Sequence, residues 1–583
     1  MRGLQLSALF LLAAAFLVGL PSRSQDVEAD HTSPPPPPPA EFQQHYGELS
    51  QKLTAFEAQI DASWDGSLGS GEFAGSLIAA NGNKTVGLLG QTQWTRITQM
   101  LDAYEAMGVD LIKLDVNYPT LTPAFHTYLQ ANDPPLVPNY TFTAQNFIGT
   151  PNSFYNKLVT EIRSRGLGVW IEHGTLFQDY SPTPPGPYFA DMRTSGVSAT
   201  QSRYTQERSA EAAAIVSQLQ PDYFSILEEP TTQNDNFGYF PGSTPLFDPN
   251  GWKGYVQAAA AAIDSAAPGS TTLIGAGIGT WDSTTYLVLF APMPELDYFD
   301  IHVYPLRSLT ADFLQRAIDW ADYVRSVDPD KLMTIGETWA YKTTAQEVSD
   351  ELDYNIIFGR DVYSFWEPID SQLLDVMFKL MHYKDYTGVM PFWAGYYFAY
   401  LTYGDPELEG LSGIELLTIA GAEAQDNWAT MTLTGTGERF RDLNLDADGD
   451  VYPNAMDNCP LWPNPTQALP NWNVPTGDSD CDGYPDATPE GLKAPESFIG
   501  TIATQHCSAT PDIGDEDPPD AWPPDFNDNQ LVNGADWLTF NSRFGSSASG
   551  GPPYEVRWDL NASGLINGAD MLQLNQYFGK RCA

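Results

Sequence analysis

Between Glu41 and Thr436, short apolar runs alternate with amphipathic or alanine-rich segments, and this alternation restricts the fold more than any other feature. Apolar runs of four to eight residues bounded by turn signals suit buried strands, while a 3.6-residue apolar period suits helices. Eight strands are expected, at Thr85–Leu89, Asp110–Val116, Leu167–Glu172, Tyr223–Glu228, Thr272–Gly277, Tyr298–Val303, Lys331–Gly336 and Gly388–Trp393. Helices are expected at Trp94–Met107, Ser153–Arg165, Gln206–Leu219, Trp252–Ala266, Ala311–Ser326 and Ser371–Tyr383, with a weakly marked crossover near Thr284–Phe290. Strands apolar on both faces and each followed by a helix make an α/β chain, and eight such units make a (β/α)8 TIM barrel. A doubly wound sheet needs a glycine-rich phosphate turn after its first strand. The GAGIG run at 275–279 lacks that spacing and reads as a tight βα loop. The stretch up to Gly82 either closes the barrel bottom or forms a strand and helix of its own.

At 583 residues the chain exceeds one ordinary domain. Residues 1–24 pair a basic tip with an apolar core and small residues, which reads as a signal peptide. A proline-rich linker is expected over 25–40, the barrel over 41–440, and a small acidic tail from 441 to the C-terminus. No later stretch reaches membrane-spanning length, so the mature chain is expected to be secreted, free or attached at a cell surface. A net charge of −46 argues against nucleic acid as a partner. After Phe440 there are 22 Asp and Glu against 6 Lys and Arg, and all four cysteines (459, 481, 507, 582) lie there. That placement leaves no thiol for catalysis in the barrel, and in an exported chain it suggests two disulfides among three possible pairings.

Barrel chemistry sits at the strands' C-terminal ends, where apolar strands have no packing need for polar groups. Six expected strand ends carry them: Asp115 and Asn117, Glu172 and His173, Glu228 and Glu229, His302 and Tyr304, Glu337 and Trp339, and Trp393. Two glutamates on separate β units match what a glycosidic bond requires, one to protonate the leaving oxygen and one to attack. Period-two alternation sends Glu228 and Glu229 to opposite faces, and Pro230 favours Glu229 as the one at the mouth. Glu172 and Glu367 are rival carboxylates. A metal-dependent hydrolase would instead draw on His173, Asp115 and His302.

This order of strand-end residues resembles the large clan of retaining glycoside hydrolases built on (β/α)8 barrels, over roughly residues 80–400. The resemblance implies that Glu229 is the acid/base closing strand four and Glu337 the nucleophile closing strand seven. It implies that His302 and Tyr304 line the site and that Trp393 is a sugar platform. Asp115, His173, Glu228 and Trp339 complete the expected substrate-binding set. The substrate implied is a β-linked polysaccharide, with no cofactor for catalysis. One departure is Glu228, which stands where that clan carries Asn. A third acid raises a neighbour's pKa, so a non-catalytic glycan-binding or structural surface protein is the alternative.

The tail carries DADGDVYPNAMDNCP at 446–460 and DSDCDGYPD at 478–486. Oxygens at alternate positions around a glycine turn suit a hard cation, so structural calcium is expected. The segment 441–490 resembles thrombospondin type 3 repeats, which implies one ligand string of Asp446, Asp448, Asp450, Asn454 and Asp457. It implies a second of Asp478, Asp480, Asp482 and Asp486, with Cys459 and Cys481 paired. After an expected linker at 491–524, residues 525–545 repeat as 559–579 without gaps. Ligand types fall at loop positions 1, 3, 5, 9 and 12: Asp525, Asn527, Asn529, Asn533 and Asp536, then Asp559, Asn561, Ser563, Asn567 and Asp570. This half EF-hand pair resembles dockerin modules and implies a cohesin-like scaffold or cell-surface partner. It departs in having Gln530 where a glycine is usual and Ser563 as a weak ligand.

Overall fold

The computed structural model describes residues 35–132, 143–178, 185–306, 312–349, 354–508, 521–550 and 554–582. The expected signal peptide and residues 25–34 of the proline-rich linker lie outside them. The chain divides into two compact units, Met1–Arg441 and Asp442–Ala583.

The first unit is a closed, all-parallel barrel of eight strands in sequence order. They are β1 Glu72–Ser76, β2 Leu111–Asp115, β3 Gly168–Glu172, β4 Tyr223–Ser225, β5 Leu273–Gly279, β6 Tyr298–Val303, β7 Leu332–Thr338 and β8 Tyr386–Pro391. β1 closes the ring on β8 through Glu72–Gly388 and Phe73–Val389. With helices in the crossovers, including Thr284–Phe290, this is a (β/α)8 TIM barrel.

Two expectations are corrected, and the stretch up to Gly82 does form a helix and strand of its own. Thr85–Leu89 is not a strand: Gly82–Leu89 forms 3₁₀ turns broken at Thr85, whose φ is 47°. The first strand is Glu72–Ser76, EFAGS, preceded by the helix Gln43–Asp61. Its small residues carry too little apolar signal to mark a strand, whereas the helix buries Leu49, Leu53, Phe56 and Ile60 on one face. The GAGIG run is not a loop but the body of β5. Its glycines serve packing, since a Cβ at Gly277 would fall 2.3 Å from Glu228 Oε2.

Inside the barrel, Ala74, Leu111, Trp170 and Met390 of β1, β2, β3 and β8 form an apolar floor with Tyr223. Two residues further along β2 and β3, period two places Lys113 and Glu172 above that floor, joined as an ion pair. Above that floor the interior therefore becomes charged towards the strands' C-terminal ends.

In the second unit the expected linker is not a spacer. Ala494, Ile499 and Trp522 share one hydrophobic core with Tyr484, Val532, Phe540, Leu560, Ile566, Leu574 and Tyr577. Disulfides join Cys459 to Cys481 and Cys507 to Cys582. The repeated helices, Gly534–Asn541 and Gly568–Tyr577, each start at a capping box, Asn533 with Asp536 and Asn567 with Asp570.

Trp170→Ala removes the largest side chain of the barrel floor, which is fully buried. It is expected to cost about 3–5 kcal/mol, read as a lower denaturant midpoint for the barrel. A loss under about 1 kcal/mol would contradict this packing.

Candidate active site

A cavity of about 1060 Å³, including the solvent at its mouth, opens at the strands' C-terminal ends. Asp115, Glu172, Glu229, Tyr304, Glu337 and Trp393 face it. Each stands on the last residue of a strand or within four residues of its end.

Glu337 reaches the cavity because β7 bulges. Ile301 pairs with Ile335, but His302 pairs with Glu337, so Gly336 is left over. Without that extra residue the strand's alternation would put Gly336 inward and Glu337 against the helices. Gly336 also gives its N–H to Asp300 Oδ1 at 2.6 Å, and a Cβ there would meet Asp300 Oδ2 at 2.2 Å. Only glycine tolerates this approach. The Tyr304 hydroxyl donates to Glu337 Oε1.

β4 ends at Ser225, although Ile226 and Leu227 still exchange backbone hydrogen bonds with Gly275 and Gly277 of β5 before the chain turns away. Glu229 adopts a left-handed conformation, φ 47° and ψ 66°, immediately before the helix Pro230–Phe237. For a non-glycine residue that is a strained position, of the kind found at functional sites. This turn lets both glutamates approach His302 from different sides. His302 Nδ1 lies 2.7 Å from Glu229 Oε1 and 3.6 Å from Glu337 Oε2. Its Nε2 lies 3.9 Å from Glu228 Oε2 and 3.7 Å from Glu172 Oε2. A carboxylate oxygen of Glu229, a ring nitrogen of His302 and a carboxylate oxygen of Glu337 all fall within 4.8 Å of one another.

Burial opposes the charge of His302, but the hydrogen bond to Glu229 and the charges of Glu172, Glu229 and Glu337 outweigh it and raise the imidazolium to about 9. At neutral pH both ring nitrogens are then donors. Glu337 is pushed up to about 7 by burial and by Glu229, against the pull of His302 and Lys113. Glu228 is fully buried, with its carboxyl set against that of Asp300. Burial, then the charges of Asp300 and Glu172, hold it well above the usual carboxylate range. It is thus a neutral acid behind the site, and does not add a third charge to it.

The remaining expected residues divide. Asp115 lines the cavity, takes a hydrogen bond from Asn81 at 2.7 Å, and is raised to about 6 by burial. Trp393 lines it too. His173 does not: it is buried with Nε2 3.3 Å from Glu211 Oε2, and burial holds it well below its ordinary pKa. The set His173, Asp115 and His302 is therefore not assembled for a metal. Trp339 is core, stacked 5.9 Å from Tyr396 with Lys342 over its ring. Of the rivals, Glu172 faces the cavity while Glu367 does not line it and accepts from Gly435 N–H.

Sequence reading missed the wall formed by Asn81, Asn83 and Lys84 after β1, and by Thr232, Gln233 and Asn236 on the helix after Glu229. The first group was hidden by the misplaced strand. The second carries a signal, three polar residues on one face of a helix that starts at a catalytic candidate.

In the second unit, Asp446, Asp448 and Asp450 bring carboxylate oxygens within 4.8 Å of one another, as do Asp478, Asp480 and Asp482. Loop N–H groups cradle these acids: Gly449 and Val451 donate to Asp446, Gly483 to Asp478 and Tyr484 to Asp482. Asp448, Asp480 and Asp482 each keep one buried oxygen without a partner, a donor set that fits a hard cation. Asn454 and Asp457 make contacts within their loop, accepting from Ala447 and Cys459 N–H, and Asp486 accepts from Ser479. In the duplicated loops, Asp525 and Asn527 keep unpartnered buried oxygens. Leu531 N–H bonds Asn529, and Asn533 N–H bonds Asp536. Ser563 N–H bonds both Asp559 and Asn561, and Asn567 N–H bonds Asp570. Gln530 takes φ 61°, where Gly564 of the second loop takes 76°, so the unusual residue adopts the same turn.

A carboxyl with a raised folded pKa holds its proton more tightly folded than unfolded. Glu337's contribution to stability is therefore full below its ordinary 4.5 and lost as pH rises through about 7. Glu337→Gln is expected to flatten the fall of unfolding free energy across that window, and an unchanged slope would contradict the assigned environment.

No protein-family model and no curated protein matches the chain. Among solved structures, it is similar to a Glycoside Hydrolase Family 5 mannosidase from Rhizomucor miehei, at 12% identity over 63% of this chain and 98% of that one, TM-score 0.37. It is also similar to a β-1,4-D-mannanase from Cryptopygus antarcticus, at 12% identity over 60% and 93%, TM-score 0.31. A third is a GH5_18 protein from Bifidobacterium longum in complex with Manβ1-4GlcNAc, at 11% identity over 65% and 79%, TM-score 0.38. At such identities and scores, the functional reading rests on this chain's own residues.

Proposed function

We propose that the chain is a secreted glycoside hydrolase that cleaves β-glycosidic bonds of a polysaccharide by a retaining double displacement. The observation that carries this reading is the Glu229–His302–Glu337 group, in which one carboxylate oxygen of each acid lies within 4.8 Å of the other. Carboxyls about 5–5.5 Å apart suit direct attack by one of them, whereas about 6.5–9.5 Å leaves room for an intervening water. In the first step Glu229 gives its proton to the glycosidic oxygen, Glu337 bonds to the anomeric carbon, and the carbon–oxygen bond breaks. In the second, water attacks that carbon, Glu229 takes its proton, and Glu337 leaves as the carboxylate. His302 orients Glu229, and the Tyr304 hydroxyl holds Glu337. Phe177, Tyr304, Tyr341, Phe392 and Trp393 supply aromatic faces to the cavity wall, against which sugar C–H faces stack.

Calcium, in this reading, is structural and confined to the second unit, where the acidic loops would hold it and order a tail with a small core. The duplicated module would tether the enzyme to a cohesin-like scaffold or a cell surface. Among the described residues, no helix is long and apolar enough to cross a membrane.

The test uses the full chain with a panel of β-linked polysaccharides, reading released reducing ends. Glu229→Gln and Glu337→Gln are each expected to lower the rate by about 10²–10⁴-fold or more. The wild-type rate is expected to fall as pH drops below about 7, where Glu337 takes up a proton and ceases to be a nucleophile. Unchanged hydrolysis in both variants would overturn the assignment.

A further inference from the structure

The second acidic loop lacks a carboxylate at a position where the first one carries it. Counting from Asp446, loop position twelve is Asp457; counting from Asp478, it is Pro489, whose side chain offers no oxygen. Glu496 stands close by in space. It opens the short helix Glu496–Ile499, and its N–H bonds Pro485 O at 2.9 Å while Ser497 N–H bonds Asp486 O at 3.0 Å. The helix start is thereby pinned to the exit of the acidic loop. The Glu496 side chain has no exposed surface; the Thr501 hydroxyl stands beside its carboxylate, but neither oxygen makes a close hydrogen bond. Its charged surroundings are acidic: Asp480, Asp486 and Asp478 act on it, and it acts in turn on Asp482. Lys493 does not neutralise it, because its ammonium group goes to the carbonyls of Asn473 and Gly483 and to the Tyr577 hydroxyl.

A buried carboxyl facing four aspartates, with only the Thr501 hydroxyl to offset them, is a costly arrangement unless a cation lies among them. We propose that Glu496 is a calcium ligand, closing from the neighbouring helix the site formed by Asp478, Asp480 and Asp482. The inference rests on the reading of that loop as a calcium site. Calcium takes six to eight oxygens, and a carboxylate with both oxygens free supplies two of them. Because Glu496 lies between the core residues Ala494 and Ile499, filling the site would also fix this part of the core.

The experiment compares full-length wild type, Asp480→Asn, Glu496→Gln and Glu496→Asp, with calcium alone as the probe. Bound calcium is counted after equilibrium dialysis, affinities are read by chelator competition, and melting is followed with and without calcium. Asp480→Asn is expected to lose one bound ion. Glu496→Gln is expected to weaken one ion by about tenfold or more and leave the others unchanged, with Glu496→Asp intermediate. Glu496→Gln is also expected to melt higher than wild type without calcium, because a buried acid has been removed. The proposal is overturned if Asp480→Asn loses an ion while Glu496→Gln binds every ion as wild type does. It is overturned as a merely structural role if Glu496→Gln melts lower without calcium. If Asp480→Asn retains every ion, the calcium reading of the loop itself fails, and the proposal with it.

Discussion

The barrel mouth depends on one buried cation. His302 sits among four carboxyls from three other strand ends, with Glu229 and Glu337 on one ring nitrogen and Glu172 and Glu228 on the other. Burying acids this densely is costly unless opposite charge is buried with them. Lys113 answers Glu172 from below, and His302 answers the pair that faces the cavity. The imidazolium thus does two things at once: it makes the acidic cluster tolerable and it aims Glu229. The β7 bulge at Gly336 brings Glu337 into the same group.

Glu228 looked from the sequence like a challenge to the site, since a third acid there shifts its neighbours. In the structure it is removed from the cavity and kept neutral, with Gly277 leaving the space its carboxyl occupies. Gly277 of β5 and the buried Glu228 are then one feature, a packing accommodation for a buried acid.

Seven of the eight strands, and every crossover helix named from the pattern, were legible because each carries its own apolar periodicity. The first strand was not, because EFAGS is too short and too small in side chains to announce itself; its burial comes from β2 and β8 on either side. Glu229, Glu337, Tyr304, Trp393 and Asp115 were legible as polar residues at strand ends. His173 and Trp339 share that position yet point into packing, a distinction that lies in strand rotation and in partners such as Glu211 and Tyr396, distant in sequence. The bulge that aims Glu337 was likewise invisible, because it depends on Asp300 of the adjacent strand. In the tail, spacing disclosed the acidic loops, but the apolar residues of 491–524 were too sparse to reveal that they share the core of the duplicated module.

The most direct test of the account is the anomeric configuration of the first sugar released from a β-linked substrate, followed by proton NMR before mutarotation. Attack by Glu337 followed by attack of water inverts the carbon twice, so the first product is expected to be the β-anomer. An α-anomer would mean that water attacks directly and that Glu337 is not the nucleophile.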